Sequence, residues 1–184
     1  MKTISGFILS NVLGWKIVGV FPQIKKSIVI FAPHTSYYDA LYGKLCFNEF
    51  GMTHRFLSKK ELFYFPMNIF MKWYGSIPVR GVAGKNAVYQ VARMLDEAET
   101  LHVILSPEGT FDKVTKWNKG FYYMACKANV PIIVGYLDYK KKEIGVKGVI
   151  DNLENINTVM HRINTMYEDV TAKYPENFSL DLKK

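Results

Sequence analysis

The chain has 184 residues, 49% hydrophobic and 22% charged, with a formal net charge of +8. That length and apolar content predict one folded domain, residues 1–184, with a core of useful size, and exclude a disordered chain. A basic chain carrying 12 Phe, 12 Tyr and 3 Trp suits an anionic membrane, an anionic small substrate or a nucleic acid; no arginine-rich block or zinc-finger spacing supports the last.

The N-terminal stretch MKTISGFILSNVLGWKIVGVF is apolar but broken by Asn11, Gly14 and Lys16. A bilayer span needs about 20 apolar residues in succession, so no transmembrane helix is predicted, and no small-residue cleavage pattern marks a signal peptide. Ile4, Phe7, Ile8 and Val12 recur near helical spacing. Residues 1–25 therefore carry two compatible readings: a core helix with a first strand, and a short amphipathic helix resting on a membrane surface.

Residues 15–21 alternate like a strand. Residues 27–32 form an apolar, partly β-branched run, expected at the centre of a sheet. Residues 36–50 have a helical pattern closed by Gly51. Short strands are predicted over 55–58 and 76–79. Between them lies an aromatic segment, 62–73, interrupted by Pro66 and expected as two short helical pieces. Residues 86–99 make the clearest amphipathic helix, with Val88, Val91, Ala92, Leu95 and Ala98 on one face. A strand over 102–105 ends in SPEGT; a helix over 121–128, strands over 131–137 and 142–149, and a helix within 153–174 complete the chain. Strands alternating with helices indicate an α/β fold, a mostly parallel central sheet flanked by helices. Cys46 and Cys126 stand far apart with no metal-ligand spacing and are read as buried thiols in a reducing compartment.

Two apolar strands end in loops able to do chemistry, APHTSYYD and LSPEGT. Ligands of open α/β sheets bind beyond the carboxyl ends of strands. His34 is a suitable general base near neutral pH, and Asp39 stands where a helix first turn folds a carboxylate back toward the imidazole. The same spacing, Ser36-x-x-Asp39, is a capping-box pattern, so an ordinary helix start explains it as well. In the second loop Gly109 permits close backbone approach to a ligand, and Glu108 and Thr110 supply polar groups; a tight turn accounts equally for the glycine. No G-x-S-x-G elbow is present, so a base here acts on a substrate hydroxyl. His54, His102 and His161 have no partner pattern and are read as structural or surface residues.

Taken in order, these stretches resemble the glycerolipid acyltransferase superfamily, which includes lysophosphatidic acid acyltransferases. PHTSYYD resembles its H-x-x-x-x-D motif, GSIPVRG its G-x-[IF]-[FP]-[VI]-x-R block, PEGT its E-G-T-R signature, and VPIIVGYLDY its apolar block around a proline. The resemblance implies acyl transfer from acyl-CoA or acyl carrier protein to a hydroxyl of a lysophospholipid-like acceptor, as in phospholipid biosynthesis. His34 is then the base and Asp39 its orienting acid. Glu108, Gly109 and Thr110 bind the acceptor, Arg80 its phosphate, and Lys59 of FLSKKELF lines the site. No metal or bound cofactor is implied. The expected location is peripheral, on the cytoplasmic face of a membrane, with a lipid surface, a thioester donor and a lysolipid as partners and no nucleic acid. The chain departs from the pattern at Phe111, which replaces the arginine of E-G-T-R, and at Arg80, one position early, with Gly81 in the usual place. Lys113, Lys116 and Lys119 are candidate substitutes for the missing cation; an acceptor without glycerol phosphate is the other reading. A non-catalytic lipid-binding protein of the same fold is the remaining alternative. The segment 62–73 is then either a core helix pair or the lining of an acyl-chain tunnel or bilayer contact.

Overall fold

A computed structural model describes residues 3–79 and 84–181. Among these residues seven strands form one sheet in the order β1-β7-β6-β2-β5-β3-β4. They are β1 (Lys16–Val18), β2 (Lys26–Ala32), β3 (His54–Lys59), β4 (Ser76–Val79), β5 (Leu101–Leu105), β6 (Ile132–Asp138) and β7 (Glu143–Ile150). The predicted α/β architecture is present. β6, β2, β5, β3 and β4 run parallel, whereas β7 is antiparallel to β6 and carries β1 parallel to itself. The reversal follows from the four residues between β6 and β7, too few for a crossover.

Among the described residues six α-helices flank the sheet: α1 (Ile4–Phe7), α2 (Tyr37–Glu49), α3 (Met67–Tyr74), α4 (Lys85–Glu97), α5 (Gly120–Ala128) and α6 (Ile156–Tyr167). β2 is central and buried on both faces, so its alternate side chains serve two cores. Ile28 and Ile30 pack with Leu95 of α4, Phe121 of α5 and Ile163 of α6. Val29 and Phe31 pack with Leu9, Trp15 and Phe47 on the α1–α2 side.

Several details differ from the sequence expectations. The N-terminal helix continues from α1 into a π-helical turn, Ile8–Val12, and the first strand shortens to Lys16–Val18. The close approach of β1 to β7 explains Gly145, where a β-carbon would collide with the Val18 carbonyl. The 62–73 segment yields one helix; the other piece is a 3-10 turn at Lys60–Leu62, and Pro66 precedes α3. It is not a core helix pair, since only Met71 of α3 is buried. Cys46 is buried as expected, but Cys126 lies on the exposed side of α5.

Candidate active site

The parallel strands β2 and β5 are direct neighbours, with Ile30 opposite Leu105. Their ends therefore deliver His34 and Glu108 side by side at one edge of the sheet. The His34 backbone N–H donates to Glu108 Oε2 at 2.7 Å, and the Ser106 hydroxyl donates to the same oxygen at 3.1 Å. This carboxyl ties the two loops together from within. Burial pushes Glu108 up to about 8, against hydrogen bonds that favour its charged form.

Asp39 occupies the third position of α2, and Ser36 is the N-cap. The capping box is fully formed, with the Ser36 N–H donating to Asp39 Oδ2 at 2.8 Å. The Thr35 N–H donates to the same oxygen at 2.7 Å. His34 Nδ1 lies 3.9 Å from it. That is an ion-pair distance but too long for a hydrogen bond. On the opposite side, the Tyr139 hydroxyl donates to Asp39 Oδ1 at 2.5 Å. Burial raises the Asp39 pKa, and the Tyr139 hydroxyl, the two amides and the charge of Lys173 restrain the rise.

The His34 side chain is 23% exposed. Its surroundings lower its pKa to about 4 through desolvation. The ring is therefore neutral at pH 7. Nδ1 is turned toward Asp39; a tautomer protonated there would leave the Nε2 lone pair available to a substrate proton. Phe111 packs on His34, ring centroids 4.7 Å apart, and on Tyr37 at 4.5 Å. An aromatic wall thus stands beside the imidazole. Gly109 has φ +68°, with open space where a β-carbon would be, so backbone conformation rather than crowding calls for glycine there. The Thr110 hydroxyl donates to Asp112 at 3.3 Å.

Lys59 ends β3 on the same sheet edge and is exposed, paired in register with Val79 of β4. Arg80 lies outside the described residues. Lys119 lies 3.8 Å from Asp181. His102 is buried with the Ser27 hydroxyl 2.8 Å from its Nδ1, His54 is buried, and His161 is exposed, in keeping with structural and surface roles. Sequence reasoning missed two neighbours of the pair. Tyr139 follows a buried strand next to β2, a position that points to the same edge. Phe111 stands out in the sequence only for the charge it lacks, whereas its ring is what meets His34.

A family model described as Acyltransferase matches residues 16–136. The chain belongs to the acyltransferase family. It is an acyltransferase-family enzyme, and the match contains both loops of the site. No curated protein matches the chain at a significant level. A solved structure, the 1-acyl-sn-glycerophosphate (LPA) acyltransferase PlsC from Thermotoga maritima, is similar with a TM-score of 0.56 and 19% identity. The similarity covers 84% of this chain and 68% of that one, and it extends the family assignment to a shared fold.

Proposed function

We propose that this acyltransferase moves a fatty acyl group from acyl-CoA or acyl carrier protein to a hydroxyl of a lysophospholipid-like acceptor. The observation that carries the reading is the neutral His34 held beside the buried, amide-bound Asp39 at the carboxyl edge of the sheet. Nε2 of His34 takes the acceptor hydroxyl proton as that oxygen attacks the thioester carbonyl. The tetrahedral intermediate collapses, the carbon–sulfur bond breaks, and the imidazolium returns its proton to the leaving thiolate. Asp39 orients the ring and stabilises its charge while the proton is held. Glu108, Gly109 and Thr110 bind the acceptor, with Glu108 also fixing the loop that presents them, and Lys59 and Arg80 supply cations for an acceptor phosphate. The thioester is already activated, so the chemistry calls for no metal and no resident cofactor.

The acceptor is an amphiphile, and the enzyme is proposed to work peripherally at the cytoplasmic face of a membrane. In support, Phe65, Ile69 and Trp73 are 80%, 62% and 76% exposed, with exposed Lys59, Lys60 and Lys72 nearby to meet anionic headgroups. Among the described residues no helix is long and apolar enough to cross a membrane.

Phe111 favours a second reading: the same chemistry on a lipid acceptor without glycerol phosphate, because the aromatic ring on His34 offers no charge to a phosphate. Purified protein incubated with labelled acyl-CoA or acyl carrier protein and a panel of lysolipids separates these readings. Transfer to lysophosphatidic acid supports the first, and transfer only to phosphate-free lipid alcohols supports the second. Lipid binding without transfer, for every donor and acceptor, overturns both in favour of a binding protein.

A further inference from the structure

We propose that Tyr139 is a positioning residue for acyl transfer: its hydroxyl holds the Asp39 carboxylate in the orientation that serves His34. The inference rests on the His34–Asp39 reading above and adds a residue beyond the span that the family model matches.

Asp39 is completely buried, so each of its oxygens needs a partner. Oδ2 accepts the Thr35 and Ser36 amides and faces His34 Nδ1. Among the described residues, the only hydrogen bond reaching Oδ1 is the one from Tyr139. The backbone amides fix one oxygen, and the tyrosine fixes the other. With both held, the carboxylate plane cannot turn away from the imidazole.

Tyr139 is itself held firmly. It follows β6 directly, and β6 pairs with β2, so its place beside the His34 loop is set by sheet register. Its ring meets Trp15 edge-on at 5.0 Å between centroids and lies 6.3 Å from Tyr42 of α2. Its backbone N–H donates to the Thr171 carbonyl at 2.9 Å. The phenol is raised well above its ordinary pKa, chiefly by burial and then by the bond to Asp39, so it keeps its proton and acts only as a donor. The groups acting on this pair are His34, Glu108 and Lys173 around Asp39, and Tyr42 and Tyr174 around the phenol. Of the charged ones, Lys173 stabilises the Asp39 anion, whereas an ionised Glu108 opposes it.

Tyr139→Phe keeps the ring packing and removes only the hydroxyl. Oδ1 is then left without its donor, and Asp39 takes up a proton at higher pH. The expected result is a kcat about 10-fold lower with KM unchanged, and an acid limb of the kcat/KM profile displaced upward, the limb belonging to the His34–Asp39 pair as a unit. In an Asp39→Asn background the same change should cost little more, because the tyrosine acts through the carboxylate. A Tyr139→Phe enzyme with the parental kcat and acid limb overturns the inference. So does a fall in kcat with an unmoved limb and a full additional loss in the Asp39→Asn background, which marks a purely structural role. If Asp39→Asn alone runs at the parental rate, the underlying pair assignment fails instead.

Discussion

Asp39 caps α2, receives the Tyr139 hydroxyl and faces the imidazole, so one carboxylate joins the start of the helix to the proposed site. Glu108 is the second carboxyl of the site, buried where the β2 and β5 loops meet. Its pKa is raised to about 8 from an ordinary 4.5, so the folded protein holds this proton more tightly than the unfolded chain does. Its contribution to stability is complete below pH 4.5 and is lost as pH rises toward and through 8. His34 and His102, both lowered to about 4, act oppositely, adding stability as pH rises from about 4 to 6.5. Glu108→Gln isolates the first effect, because the histidines are common to both proteins. Melting temperatures of parent and variant should differ little at about pH 5, and the variant should be relatively more stable at about pH 9. Parallel curves over that range contradict the assignment of a buried neutral Glu108.

At the scale of elements, α3 shows how far periodicity reaches. Its apolar pattern and Pro66 mark a helical segment, but the same residue types suit a core face and a membrane face. Composition cannot separate the two; burial removes the core face, because Phe65, Ile69, Phe70 and Trp73 stand exposed. β2 is legible for the opposite reason, since a short apolar run at the centre of a parallel sheet has few alternatives. The Ser36–Asp39 cap is also legible, because it is local in sequence. The Glu108 bond to the His34 amide and the Tyr139 bond to Asp39 span 74 and 100 residues. They depend on strand order, which the sequence motifs do not encode. Phe65→Ser combined with Trp73→Ser removes two mostly exposed aromatic rings and should leave the melting temperature nearly unchanged. Sedimentation with vesicles containing phosphatidylglycerol at low salt should then show binding weakened about 10-fold or more, as loss of apolar contact on this scale implies. Unchanged binding sinks the role of this segment in membrane contact.

Across the whole molecule, exposed apolar surface is unevenly divided. Fifteen of the eighteen large hydrophobic side chains exposed among the described residues lie between Ile4 and Trp73. Within this span, the π-helical turn after α1, α2 and α3 contribute Leu9, Phe47 and Tyr74 to the core on one side of the sheet, whereas α4, α5 and α6 cover the other. The His34 loop leads into α2, on the side of the sheet whose core these elements build. In the proposed reading, a lipid acceptor held by these exposed side chains would reach His34 from a membrane surface. Everything in this scheme depends on His34 as the group that takes the acceptor's proton. The most direct test compares acyl transfer by the parent and by His34→Ala, using the donor and acceptor the parent uses best and matched melting temperatures as a check on folding. Loss of about 10²-fold or more in kcat is the predicted result, and a folded His34→Ala protein that transfers acyl groups at the parental rate would contradict it.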